Sequence, residues 1–310
     1  MGSDRDTYER GRRFVLHHAR PLDHARWCFL FENGSPQAVL TQLSAYQNSD
    51  GGFGHALEPD FWNPLSSPMQ TWAATEILQS LDQDDPRHPI VRGILGYLET
   101  TLDPESLTWS RTVGSNNDFP HAPWWSHPGP DQPDSVPTYN PTAALAGFVL
   151  RYADRGSRLW ERGRRAATRA FAALVGSTSV EVHELSCFVR LHQCALRYET
   201  DLGVDLGPVG QALDTQVNGA LTRDTSRWAT DYVCRPSRFL RGPGDRWVRG
   251  NEDLVRSECQ FLKQTQLDDG SWPVTWQWSS FPDEWAVAKQ WWKSALVIEN
   301  LQFLRAMEGL

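Results

Sequence analysis

The sequence predicts an all-α fold, on three observations. Apolar residues recur at three- and four-residue spacing through most of the 310 residues, which is the period of one helix face. Alternating runs of β-branched residues, the mark of strands, are scarce. Two distant segments share one pattern: L-S-A-Y-Q-N-S-D-G-G-F at Leu43–Phe53 and F-L-K-Q-T-Q-L-D-D-G-S-W at Phe261–Trp272. Each has an apolar helix end, a glutamine, an acid before a glycine, and an aromatic two residues beyond that glycine.

The pattern reads as a staple. Gln266 can bond at the helix end, Gly270 permits a tight turn, and Trp272 can stack over the junction. The second copy fits F-L-x-x-x-Q-x-x-x-G-x-W throughout, and the first carries Phe53 in place of Trp. These residues resemble the glutamine–tryptophan repeat of squalene and other triterpene cyclases, whose barrel is shared with protein prenyltransferase β-subunits. The resemblance implies a single (α/α) toroid domain over residues 1–310, in which inner helices ring a cavity and outer helices wrap them.

The elements follow in order. The first helical stretch is Phe14–Phe31, broken at Arg20–Pro21 because proline cannot continue a helix. Ser35 caps the next, with Pro36 at its first position, and it runs to Tyr46. Pro68–Leu81, rich in small and apolar residues, has the character of an inner helix, and His88–Leu102 of an outer one. Pro141–Tyr152 and Val180–Tyr198 read as inner, with Arg158–Val175, Pro208–Leu221 and Asn251–Thr265 as outer. The basic run of Arg158–Val175 holds Arg162, Arg165 and Arg169 at helical spacing, expected on a solvated face. Glu284–Ala306 closes the chain as a long inner helix. Long loops at Gly51–Ser67, Asp103–Asn140 and Arg223–Gly250 are expected to gather at one mouth of the toroid, where a rigid scaffold places function.

Composition narrows the partners. A formal charge of −8 argues against nucleic acid, which needs clustered Lys and Arg. No stretch reaches the ~20 apolar residues that span a bilayer, and Met1–Arg13 is too polar for a signal peptide. Five scattered cysteines fit a reducing, cytoplasmic setting. The 15 tryptophans stand out. Trp fills large gaps between helices, but a dense cluster also suits a ring-lined pocket for an isoprenoid, a sugar or a cation.

Several acids are candidates for chemistry. Asp82-Gln83-Asp84-Asp85 matches D-x-D-D, the acid signature of class II terpene cyclases, but it follows an inner helix instead of preceding one. It is expected to be an exposed helix-starting turn. Better placed are His55, Glu58 and Asp60 in G-F-G-H-A-L-E-P-D-F-W-N-P, with Trp62 and Asn63 alongside, and Asp283 and Glu284 in S-F-P-D-E-W. Two carboxylates in different environments can act as acid and base. The alternative for each is helix capping and charge–dipole attraction. The second loop offers His121, Trp124, Trp125 and His127 for ligand contact or lid packing. The third offers Asp231, and Trp278 lies beyond it. Asp231 with Cys234, and His183 with Cys187 and Cys194, invite a metal reading, but no spacing is convincing and no metal is expected. The phosphate-cradling, dinucleotide and nucleophile-elbow motifs are lacking, so no cofactor is expected.

The leading expectation is therefore a terpene cyclase- or prenyltransferase-like protein that holds an isoprenoid or other apolar ligand, with acid-initiated cyclisation as its reaction. Its rivals are a glycan-active hydrolase or lyase using Trp platforms and paired carboxylates, and a toroid that binds a ligand or peptide without turnover. Oligomeric state is not legible.

Overall fold

The computed structural model of the chain describes residues 4–129, 138–196 and 202–308. Among these residues there are eleven α-helices and no strand, so the protein is all-helical. The helices are α1 (Asp4–His18), α2 (Pro21–Phe31), α3 (Pro36–Ser44), α4 (Pro68–Ser80), α5 (Pro89–Thr101), α6 (Thr142–Tyr152), α7 (Arg158–Gly176), α8 (Val182–Ala195), α9 (Leu206–Ala220), α10 (Glu252–Thr265) and α11 (Pro282–Glu308).

Boundaries follow the punctuation in the sequence. Pro21, Pro36, Pro68 and Pro89 each open a helix, where a missing N–H costs nothing. Ser67 and Ser157 cap α4 and α7 by accepting from Gln70 N and Trp160 N. Tyr198, the expected end of α8, lies outside the described residues, as do Pro130, Pro133 and Pro137 of the second loop. The largest departure is α1, which starts ten residues before the expected Phe14. Its buried stripe uses Thr7 and Gly11 ahead of Phe14 and Val15, so the apolar period is hidden. Gly11 lets α1 approach closely there: a Cβ would stand 2.7 Å from Cδ1 at the end of the Leu301 side chain of α11.

Two compact units divide the chain, Met1–Leu43 with Val217–Leu310 and Ser44–Gln216. In the Ser44–Gln216 unit, α6 packs against α4 and α8 and is backed by α5 and α7. Ten of the eleven α6 residues are buried. On α7, Arg165 and Arg169 are exposed as expected and Arg162 is half-buried. Arg162 and Arg169 do not simply face solvent: Arg162 Nη2 donates to Leu102 O at 2.6 Å, and Arg169 Nη1 to Glu105 O and Ser106 O at 2.9 Å. They close orphan carbonyls after α5, as cations at a helix end should.

Each unit holds one copy of the staple, and the two are built alike. Gln47 Nε2 donates to Gly51 O at 3.0 Å and to Ile90 O of α5 at 3.1 Å. Gln266 Nε2 donates to Gly270 O and to Thr7 O of α1, both at 2.9 Å. Asp50 and Asp269 each accept the backbone N–H two residues on at 2.9 Å, Gly52 in one and Ser271 in the other. Trp272 is 2% exposed, and its indole N–H donates to Leu262 O at 2.9 Å. The distant acceptor differs in chain position. It lies on the helix after the next in the first copy, and on the N-terminal helix in the second. So α1 completes the α10–α11 hairpin of its own unit.

In the Met1–Leu43, Val217–Leu310 unit the third loop is tied to α10 by a buried carboxylate. Glu258 is 0% exposed, accepts from Ser237 N at 2.7 Å and Ser237 Oγ at 2.6 Å, and faces Arg235 at 3.4 Å. Burial outweighs these partners and lifts its pKa above the ordinary carboxylate value.

Candidate functional site

The segment from His55 to Asn63 is held at both ends. At its start, Gly51 adopts φ +87°, and a Cβ there would come within 2.1 Å of Gly93 O, so the turn presses directly on α5. Asn48 then reaches across the loop. Its Nδ2 donates to Pro64 O and Ser66 Oγ, both at 3.0 Å, and its Oδ1 accepts from His55 Nε2 at 2.9 Å. At the far end, Ser67 N donates to Phe53 O at 3.0 Å, and Thr71 Oγ1 accepts from Phe53 N at 3.1 Å.

A chain of buried amides runs beneath. Gln70, 0% exposed, accepts from Leu57 N at 2.8 Å and donates to Asn63 O at 3.0 Å. Asn63 Nδ2 donates to Asn116 Oδ1 at 3.0 Å, and Asn116 Nδ2 to Trp125 O at 3.0 Å. This relay joins α4, the first loop and the second loop. Satisfied networks of this kind fix a single arrangement. Strain collects at the same place: His55 and Ala56 are consecutive non-glycine residues at φ +59° and +58°. Held left-handed residues mark functional segments more often than ordinary turns.

The first and second loops pair along a short antiparallel contact. Ala122 N donates to Asp60 O at 2.7 Å, Trp62 N to Pro120 O at 2.8 Å, and Phe61 faces His121 between them. Glu58 turns back so that its Oε2 accepts from Asp60 N at 2.7 Å. Asp60 is therefore fixed at both its N–H and its carbonyl, and it is only 4% exposed. The Phe61 and Trp125 rings lie 5.2 Å apart, and the Arg111 guanidinium sits 5.3 Å over Trp125. Trp62 is half-buried with its indole N–H on Pro59 O at 3.2 Å, and Trp124 is 37% exposed. His121 Nδ1 donates to Phe119 O at 2.6 Å and its Nε2 meets Ser126 Oγ at 3.0 Å, while His127 Nδ1 meets Thr112 Oγ1 at 3.0 Å.

So the structure gathers His55, Glu58, Asp60, Trp62, His121, Trp124 and Trp125 in one clasp. Asp231, Trp278, Asp283 and Glu284 belong to the other unit. Asp231 is ion-paired with Arg227 at 2.8 Å, and that partner, with Thr230, holds its carboxyl below the usual range. Trp278 is 3% exposed, with its ring 5.6 Å from Trp285. Asp283, exposed, and Glu284 open α11, where negative charge complements the helix dipole. Tyr232 and Trp292 each meet Trp276 edge-on, at 5.5 and 5.1 Å.

The sequence reading missed Asn48, Gln70, Asn116 and Arg111. Ser67-Pro68-Met69-Gln70 is an S-x-x-Q helix start, which could have flagged Gln70. The other three carried no local signal. Among the described residues no three His, Cys, Asp or Glu side chains gather as a metal would require. Cys187 Sγ donates to Asn140 Oδ1 at 3.6 Å, and burial pushes the Cys194 thiol up to about 11. No helix among the described residues is long and apolar enough to cross a membrane. No known protein family, curated protein or solved structure matches this chain.

Proposed function

We propose that the protein is a terpene cyclase- or prenyltransferase-like toroid that binds an isoprenoid or other apolar ligand against the Asp60 clasp, and that Asp60 is its acid. One observation carries the reading: Asp60 is only 4% exposed and clamped through both backbone groups, in the same loop pairing that carries the Phe61–Trp125 ring pair. The reading takes the Asp60 carboxyl in its protonated form. Such an acid can add its proton to a ligand alkene. A C–H bond forms as the π bond breaks, and the positive charge passes to carbon. Aromatic faces stabilise that charge. Loss of a proton from a neighbouring carbon to water or to the Asp60 carboxylate ends the sequence, so the product is an isomer of the substrate. Glu58 fixes Asp60 through its N–H and acts as a positioning residue, and Asn48 and Gln70 hold the loop between them.

The test is incubation with linear prenyl alcohols and squalene-type polyenes in deuterated water, with products read by mass spectrometry. The expected result is a cyclic isomer carrying one solvent deuterium, abolished by Asp60→Asn while the thermal midpoint stays near wild type. A protein that binds these ligands without product is a binding toroid. One that ignores them but cleaves glycans supports the hydrolase alternative. A large loss of stability in Asp60→Asn assigns Asp60 to loop architecture instead.

A further inference from the structure

The first three helices border a cavity of about 690 Å³ that lies wholly within the Met1–Leu43, Val217–Leu310 unit. α2 turns Pro21, His24, Ala25 and Cys28 toward it, the spacing of one helix face. The opposite face of α2 carries Leu22, Asp23 and Trp27, each no more than 1% exposed, and so belongs to the core. α2 therefore has a second face that the packed core does not cover. Val15 of α1, 1% exposed, forms the floor of the cavity, and Ala38, Thr41 and Gln42 of α3 form its other wall. The cavity is open to solvent: Leu16 on its rim is 45% exposed, and Pro21, Ala38 and Thr41 are exposed as well. An apolar lining with a few polar groups, at this volume, is the usual make-up of a small-molecule site.

The lining selects the ligand. It holds no Lys, Arg, Asp or Glu, and the charges on and just after α2 are engaged elsewhere. Asp23 pairs with Arg20 at 2.8 Å and Arg26 at 3.3 Å, and Glu32 accepts from Arg12 at 2.6 Å and from the Trp27 indole at 2.9 Å. An ionised group entering the cavity would lose water and meet no fixed counter-charge. The polar groups of the wall are instead His24, Cys28, Thr41 and Gln42, which between them donate and accept as a hydroxyl does. His24 Nε2 lies 3.9 Å from Cys28 Sγ. Burial raises the pKa of that thiol, so it stands in the wall as a neutral group. We propose that this cavity binds a small uncharged amphiphile, an aliphatic chain with a hydroxyl head. The chain lies along Val15, Leu16, Ala25 and Ala38, and the head meets His24 and Gln42. This assignment is independent of the reading of Asp60.

The probes are hexanol, octanol and decanol, with octanoate and octylammonium as charged controls, all at about pH 8, where both controls are ionised. Binding is followed by calorimetry and by the rate at which N-ethylmaleimide alkylates Cys28, read by peptide mapping. Octanol is expected to bind one-to-one and to slow alkylation of Cys28 in proportion to its occupancy. Each methylene removed from the chain is expected to weaken binding about 3–4-fold, the worth of one buried CH₂. The charged controls should bind at least about 10-fold more weakly than octanol. Ala38→Trp, at an exposed position, puts a ring into the cavity and should abolish saturable binding with the unfolding midpoint unchanged. Leu16→Asp, at the exposed rim, should weaken it. Asp60→Asn should leave octanol binding unchanged, so the two sites fail separately. The proposal is overturned if no alkanol binds saturably, if octanoate or octylammonium matches octanol, if bound octanol leaves Cys28 alkylation unchanged, or if Ala38→Trp and Leu16→Asp both bind at wild-type strength.

Discussion

Gly270→Ala tests the staple at its tightest point. Gly270 sits at φ +89°, and an added Cβ would lie 2.1 Å from Arg10 O and 2.5 Å from Arg10 C. An L-residue in this conformation costs ~1–2 kcal/mol. Carbon–oxygen contacts normally stay beyond about 3.3 Å, so turn and helix must part by roughly 1 Å. The obstacle is a helix backbone, not a flexible side chain, and α1 is pinned nearby by Gln266 on Thr7 O. Forced overpacking of this sort costs ~1–3 kcal/mol, for a total of ~2–5 kcal/mol. Gly250 isolates the steric part. It has φ +85° with no atom within 4 Å of its Cβ position, so Gly250→Ala should lose only ~1–2 kcal/mol. Gly51→Ala, whose Cβ would meet Gly93 O at the same 2.1 Å, should match Gly270→Ala. Urea unfolding with unchanged slope measures all three. If Gly270→Ala is no worse than Gly250→Ala, the turn does not press on α1 and the staple argument fails.

The remaining predictions concern carboxylates. Asp82, Asp84 and Asp85 are exposed, and Asp84 is ion-paired with Arg151; their joint replacement by Asn should cost no more than about 1 kcal/mol and leave ligand binding intact, and a loss of activity would restore the D-x-D-D acid. Glu258 titrates above its ordinary value because it is buried, so the folded protein keeps a proton that the unfolded chain releases. Its contribution to stability is full below the ordinary carboxylate pKa and is lost as pH rises through the folded value. Glu258→Gln does not titrate there, so its stability relative to wild type should improve as pH rises from the ordinary carboxylate pKa through the raised folded value. A constant difference across that range would show that Arg235 and Ser237 outweigh burial.

Sequence punctuation reached most of the helices because proline, serine and glycine act locally. Pro68 after Ser67, or Gly270 after Asp269, constrains the backbone whatever surrounds it. The start of α1 stayed hidden for the opposite reason: Thr7 and Gly11 are buried by what α11 and the Gln266 turn press against them, and neither is apolar. Arg165 and Arg169 are exposed as their spacing predicts, but the bonds that Arg162 and Arg169 make to carbonyls beyond α5 leave no mark on that spacing. At the candidate site, Glu58 and Asp60 were legible from the prolines around them and from the fixed ends of their loop. The amides Asn48, Gln70 and Asn116 were not, since an amide's role lies wholly in which groups meet it. Glu258 hid among the charges of an amphipathic helix for the same reason.

The two staples show where architecture gives way to the site. Gln47 and Gln266, Asp50 and Asp269, Gly51 and Gly270 make equivalent bonds within each turn, and each glutamine adds one to a helix of its own unit, so those positions serve the fold. The residue after the glutamine breaks the match. Leu267 in the second copy is 36% exposed and contributes only its backbone, donating to Ser271 O at 2.8 Å. Asn48 in the first copy keeps the equivalent bond, to Gly52 O at 2.9 Å. Its side chain adds three more, to Pro64, Ser66 and His55. Those three bonds brace the two ends of the segment that carries Glu58 and Asp60, and one falls on His55 at its left-handed φ. A residue whose only duty was to end a helix would need none of them. A loop that had to hold an acid steady between two strained turns would need all three. The difference between the copies thus falls at the one position that ties the staple to the acid loop, which is the physical reason for assigning chemistry to the first copy and plain architecture to the second.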